Sequence, residues 1–230
     1  MNRIEKAFEN KKALIAFITG GDPDIETTEK LVVAMANVGV DIVQIGVPFS
    51  DPVAGGLEIQ KADERALAAG CTVDKLFEMV KRLRTKTSVP IIFVTYVNPI
   101  FVYGTERFLK SCASSGVDGV YVPDLPFEEK DEIAEACAKA GVIQISTVTP
   151  STKERVALVS KEAEGFLYCM QGTVEMAKEV SNIPCVVSFG SAASELADGV
   201  VIETAIVGLV EEYGRDCIPA VEEFIKEAKN

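Results

Sequence analysis

The chain has 230 residues, with 23 Lys and Arg against 35 Asp and Glu, a formal net charge of −12, and neither His nor Trp. The missing His removes every Ser-His and Cys-His catalytic arrangement and the usual transition-metal ligand. The acidic balance gives no electrostatic basis for holding a nucleic-acid backbone or an anionic membrane. Hydrophobic residues make up 48% and charged residues 25%, a globular balance at a length that can bury a full core.

From Met1 to Asn10 charged and apolar residues alternate, without the apolar run of a signal peptide. No segment approaches the ~20 apolar residues that span a bilayer. Cys71, Cys112, Cys137, Cys169, Cys185 and Cys217 form no C-x-x-C pair and sit in apolar or helical stretches. They read as buried free thiols, with no metal bound, in a reducing cytoplasm.

Eight short apolar runs read as strands: Ala13–Ile18, Asp41–Ile45, Pro90–Thr95, Gly119–Val122, Val142–Thr147, Gly165–Cys169, Pro184–Ser188 and Gly199–Ile202. Each is too short for a helix and apolar on both faces, as a covered parallel sheet requires. Between them, Ile25–Val38, Thr72–Lys86, Thr105–Ser115, Phe127–Ala140, Thr152–Glu162, Thr173–Val180 and Asp216–Lys229 carry helical spacing, with Asp24 placed to start the first and Thr72 and Asp74 to cap the second. The alternation predicts an α/β fold: a single (β/α)8 TIM barrel over residues 1–230, with an open doubly wound sheet as its rival. An extra N-terminal helix, Arg3–Glu9, is placed to plug the barrel. Val38-Gly39-Val40-Asp41-Ile42-Val43 echoes Ser115-Gly116-Val117-Asp118-Gly119-Val120, the helix-end glycine and strand entry of one repeat unit.

Ligands of such barrels sit on the loops after the strands. After the first strand, Thr19-Gly20-Gly21-Asp22-Pro23-Asp24 reads as a turn and cap, with Asp22 also open to a catalytic role. The second loop, Gly46 to Gln60, exceeds what a strand-to-helix turn needs. Pro48, Phe49 and Pro52 suggest a surface that packs on a partner, and Asp51 reads equally as a turn anchor. Tyr96-Val97-Asn98-Pro99-Ile100-Phe101 suits a planar ligand or an interface, and Asp124 follows the fourth strand between two prolines. Gly190, Ser191 and Thr204, after the seventh and eighth strands, suit a phosphate, whereas Glu203 beside a phosphate is repulsive. By position, Phe17, Gln44, Tyr96, Tyr168, Gly190 and Thr204 should line one pocket for a small-molecule ligand at the C-terminal mouth.

Phe17-Ile18-Thr19-Gly20-Gly21-Asp22-Pro23, followed by Ile45-Gly46-Val47-Pro48-Phe49-Ser50-Asp51-Pro52-Val53-Ala54, resembles the α subunit of tryptophan synthase. So do Ile59-Gln60 with Arg65-Ala66-Leu67, Tyr96-Val97-Asn98-Pro99, and Val117-Asp118-Gly119-Val120 with Asp124-Leu125-Pro126. The likeness runs from about Ile4 to Pro150 and resumes at Gly165. It implies a (β/α)8 barrel that cleaves indole-3-glycerol phosphate to indole and glyceraldehyde 3-phosphate, without metal or organic cofactor. It also implies passage of indole to a pyridoxal-phosphate β subunit, with Pro48, Phe49, Asp51, Pro52, Asn98 and Pro99 as the partner surface.

The chain departs from the family where the chemistry lies. One catalytic carboxylate position, at the end of the second strand, holds Gln44, and the other, in the second loop, holds Gly55. An amide cannot serve as general acid or base, and glycine offers nothing. The loop after the sixth strand is reduced to Met170-Gln171-Gly172-Thr173, and Glu203 stands at a phosphate-binding glycine position. Residues between Gly190 and Gly199 leave barely two turns for a seventh helix. Glu58 reads either as a substitute acid or as a first-turn carboxylate favoured by the helix dipole. Three readings follow: a strongly impaired lyase of this family, a catalytically silent partner-binding barrel, or an enzyme on an uncharged or cationic ligand.

Overall fold

The computed structural model describes residues 2–9, 11–170 and 172–229, so Met1, Asn10 and Gln171 of the segments read above lie outside the described residues. Eight parallel strands close into a barrel in chain order: β1 (Ala13–Thr19), β2 (Ile42–Gly46), β3 (Ile91–Val94), β4 (Gly119–Tyr121), β5 (Ile143–Val148), β6 (Leu167–Cys169), β7 (Cys185–Ser188) and β8 (Gly199–Ile202). β8 returns to β1 with Gly199 opposite Ala13, which leaves no edge. Closure excludes the open sheet. All eight expected strands form.

Eleven α-helices surround it among the described residues: α1 (Arg3–Ala7), α2 (Ile25–Asn37), α3 (Leu57–Ala68), α4 (Val73–Leu83), α5 (Val97–Tyr103), α6 (Thr105–Ser115), α7 (Asp131–Ala140), α8 (Lys153–Glu162), α9 (Val174–Val180), α10 (Thr204–Tyr213) and α11 (Ile218–Ala228). Asp24 and Thr72 cap α2 and α4 as expected, accepting from the Thr27 and Lys75 amides. Three helices exceed the sequence reading: α3, α5 and α10. In the other direction, the β7–β8 connection, expected to hold two helical turns, forms only turns among its described residues.

Side chains alternate across each strand. Ile15 and Phe17 on β1, Ile42 on β2, Ile92 on β3 and Tyr168 on β6 belong to the inner cluster. Ala16, Ile18, Val43, Ile45 and Phe93 face the helices in the outer one. Burying a large apolar side chain such as Phe93 or Phe108 contributes roughly 1.5–3 kcal/mol, and both are fully buried. Ile4 enters the inner cluster from α1, and Phe8 packs its ring on Phe166 with centroids 5.6 Å apart, so the N-terminal helix does plug the barrel.

The aspartate of the recurring Gly-Val-Asp, and Asp198 at the corresponding strand entry of Leu196-Ala197-Asp198, have a structural task. Asp41 Oδ2 accepts the Leu14 amide at 2.9 Å, Asp118 Oδ2 the Ile91 amide at 2.8 Å, and Asp198 Oδ2 the Cys185 amide at 2.8 Å. Each aspartate thus ties its strand's entry to the start of a preceding one. All six cysteines are buried and free. Among the described residues no helix is long and apolar enough to cross a membrane.

Candidate active site

At the C-terminal ends of the strands lies a cavity of ≈ 230 Å³. Its walls come from four directions. Phe17 rises from β1, and Gly46 ends β2 beside it; a Cβ on Gly46 would stand 2.8 Å from Phe17 Cζ, so only glycine lets this ring approach. Tyr96 follows β3 and pins the second loop: its hydroxyl donates to the Ala54 carbonyl and accepts the Ala54 amide at 3.3 Å. Tyr121 and Tyr168 stack with centroids 5.2 Å apart and 10° between planes. Thr147 donates to the Tyr121 hydroxyl at 3.1 Å, and Tyr168 donates to Glu203 Oε1 at 2.8 Å.

Two carboxylates line this space, Asp63 and Glu203, and no Lys or Arg does. Asp63 projects from α3 and is 5% exposed. Burial raises its carboxyl to about 7, the Asp22 charge adds to the rise, and a hydrogen bond from the Phe49 amide opposes it. Asp22 is held by Arg65 through a bidentate pair, at 2.9 Å to Nε and 2.8 Å to Nη2. Burial also raises Glu203, against the lowering effect of the Tyr168 hydrogen bond. Tyr168 is pushed well up, first by burial and then by the Glu203 charge.

Of the expected lining residues, Phe17, Tyr96, Tyr168 and Thr204 do line the cavity. Gln44 does not reach it. It sits one layer lower, 1% exposed, with Nε2 lacking any hydrogen-bond partner. Strand alternation aims it inward: it lies between Ile42, in the inner cluster, and Gly46, on the cavity wall. Gly190 lines a neighbouring hollow of ≈ 730 Å³ that shares Met170 and Ser188 with the cavity. The one expected pocket is therefore two compartments of one mouth.

Gly55 is on the cavity wall with φ +101°, and a Cβ there would meet Ile59 Cγ2 at 3.3 Å. Glu58 is exposed on the first turn of α3 and outside the cavity lining. Asp22 is structural, tied to Arg65. Asp124 accepts the Val97 amide at the start of α5, at 3.1 Å. Ser50 donates to Asp51 at 2.6 Å, a local turn contact. Asp51 and Asn98 are exposed, and Pro52 and Pro99 half-buried. Pro48 is buried and Phe49 packs on Tyr96 at 5.6 Å, so these two support the loop from within.

Asp63 escaped the sequence reading because α3 was taken for loop as far as Gln60. A signal was present: Ile59, Ala62, Asp63 and Ala66 form one helical stripe, and a carboxylate in an otherwise apolar stripe faces something built for it.

Fold and site together define a (β/α)8 barrel with an aromatic, carboxylate-lined cavity at its C-terminal mouth. The sequence profile of the tryptophan synthase alpha chain matches residues 4–183. The tryptophan synthase alpha chain of Lacticaseibacillus casei is 40% identical over 252 aligned residues, which take in 100% of this chain and 95% of that one. That of Geobacter sp. strain M21 is 40% identical, covering 100% and 97%. Among solved structures, tryptophan synthase subunit alpha from Legionella pneumophila superposes with TM-score 0.91 at 33% identity, covering 100% of this chain and 97% of that one. A structure of the tryptophan synthase α2β2 complex from Pyrococcus furiosus matches with TM-score 0.89 at 31% identity, covering 95% and 98%. The chain belongs to the tryptophan synthase alpha chain family.

Proposed function

We propose that this chain is a carbon–carbon lyase of the tryptophan synthase α type in which cleavage of indole-3-glycerol phosphate to indole and glyceraldehyde 3-phosphate is strongly impaired. The retro-aldol step needs one carboxylate to exchange protons at indole C3 and the glycerol oxygen. A second must stabilise positive charge on the indole nitrogen. The observation that carries the reading is the pair of replacements at those positions: a buried amide at Gln44 and a positive-φ glycine at Gly55. General acid–base groups contribute ~10²–10⁴-fold each, so losing both removes most of the rate. Glu203 adds a negative charge where the family places the substrate phosphate. The cavity still offers aromatic walls and two carboxyls that burial pushes up, Asp63 to about 7 and Glu203 in the same direction.

An indole-release assay on the purified chain, with and without a tryptophan synthase β subunit, tests this. The expected result is a trace of indole from the chain alone. A rate typical of an intact two-carboxylate enzyme refutes the impairment.

The exposed apolar side chains favour a second, compatible role. Val53 is 76% and Leu57 62% exposed on the second loop and the start of α3, and Phe101 is 54% and Val102 81% exposed on α5. Tyr96 bonds the two segments together through Ala54, and we infer that their exposed side chains, with Asp51, Pro52, Asn98 and Pro99, form one face. Such a face is what a barrel retains if it docks on a β subunit, as in the α2β2 complex of the Pyrococcus furiosus relative. Co-elution with a purified β subunit, and stimulation of that subunit's own reaction, check the role independently of lyase activity.

A further inference from the structure

The cavity carries a charge and ring pattern that phosphate-ester cleavage does not use. Asp63 and Glu203 enter it from two elements, α3 and the end of β8, and among the described residues no cationic side chain lines it. Arg65, on the same helix as Asp63, is engaged by Asp22 and by Glu211 at its far side. Both carboxyls are pushed up by burial, so each gains if a cation or an N–H donor replaces the water it has lost. Tyr121 and Tyr168 supply a flat stacked wall, and Phe17 and Tyr96 complete an aromatic enclosure.

The volume of ≈ 230 Å³ is below the ~300–1,000 Å³ of drug-sized sites, which suits one bicyclic ring with a short tail.

We propose that this cavity binds a planar aromatic ring bearing an alkylammonium tail and no phosphate, its ammonium group paired with Glu203 and its ring held among the tyrosines of the wall. The same carboxylate repels the phosphate of an ester in that position. The proposal rests on the lyase reading only for the location of the ligand cavity.

Calorimetry on the full chain at pH 8 tests it with three probes that share one ring: tryptamine, 3-methylindole and indole-3-propionate. Tryptamine should bind most tightly, the neutral probe next and the anion least. Glu203→Gln should weaken tryptamine ~10-fold and leave 3-methylindole unchanged, the latter also showing that the variant pocket is intact. Equal or tighter binding of indole-3-propionate overturns the proposal, as does an unchanged tryptamine affinity in Glu203→Gln or the absence of tryptamine binding. None of these outcomes depends on indole release, so failure here and failure of the lyase reading are separately visible.

Discussion

Tyr168 reaches from β6 across the barrel mouth and donates its hydroxyl proton to Glu203 Oε1 at 2.8 Å. β7 lies between the two strands, so this bond spans one side of the opening. A glycine at residue 203 would leave the Tyr168 hydroxyl free for a ligand; here it is occupied by the chain's own carboxylate. Replacing Tyr168 with Phe should leave Glu203 buried without its donor, costing about 1–3 kcal/mol by urea denaturation. The double variant Tyr168→Phe with Glu203→Gln should recover part of that loss. No recovery means that the two groups do not interact in solution.

Asp63 predicts a pH signature. Burial lifts its carboxyl from 3.8 to about 7. Between those values the folded chain holds a proton that the unfolded chain has released, so this residue's contribution to stability falls as pH rises through the window. The penalty is fully present above about 7 and absent below 3.8. The stability difference between Asp63→Asn and the unmodified chain should therefore shift in favour of the variant from pH 4 to pH 7 and then level off. A difference that is flat with pH removes Asp63 from its buried, titrating role.

Beneath that site, Arg65 holds Asp22, whose side chain is 3% exposed, against α3. Arg65→Met should cost about 3 kcal/mol, because it leaves a buried carboxylate without compensation. Adding Asp22→Asn should return much of this in a double-mutant cycle. If the two changes add without coupling, the pair does not hold the first loop in place.

The strands were legible because each is a short β-branched run apolar on both faces, and only a covered parallel sheet uses such runs. The β2 loop and its surface were legible through an unusual density of Pro and Gly. Missed elements failed for physical reasons. α5 opens at Val97 with Pro99 in its first turn, a pairing that reads as loop until the Asp124 carboxylate is seen capping the Val97 amide from the β4 loop. α3 starts at Gly56, which supplies no side-chain cap, and its buried stripe is built from small residues and one aspartate. The positions of Gln44 and Gly55 could be read, but not that one lies under the cavity and the other in a positive-φ turn. That Asp63 lines the same cavity as Glu203 depends on how α3 packs over the barrel mouth.

Docking on a β subunit should depend on α5. Val102 is 81% exposed, so Val102→Asp should alter stability by no more than about 0.5 kcal/mol. The same change should abolish co-elution with the β subunit, since it places a charge in the middle of the apolar face. Retained co-elution moves the docking surface elsewhere.

Restoring the two family carboxylates should not give two equal gains. Gln44→Glu is nearly isosteric, and in a position 1% exposed burial would hold the new carboxyl largely protonated, as a general acid requires. Gly55→Asp places an L side chain at φ +101° with its Cβ 3.3 Å from Ile59, a strain of about 1–2 kcal/mol unless the loop rearranges. With its side chain turned from the buried Gln44 position into the cavity, Gln44→Glu alone should raise indole release at least ~10-fold, Gly55→Asp alone should raise it little, and Glu203→Gly should add to the first by admitting the phosphate. Glu58→Gln should be silent throughout, since Glu58 faces solvent. If the unmodified chain already turns over as fast as the restored variants, another group carries the proton transfer. Asp63→Asn should then abolish the rate, and a silent Asp63→Asn would refute this assignment of the site.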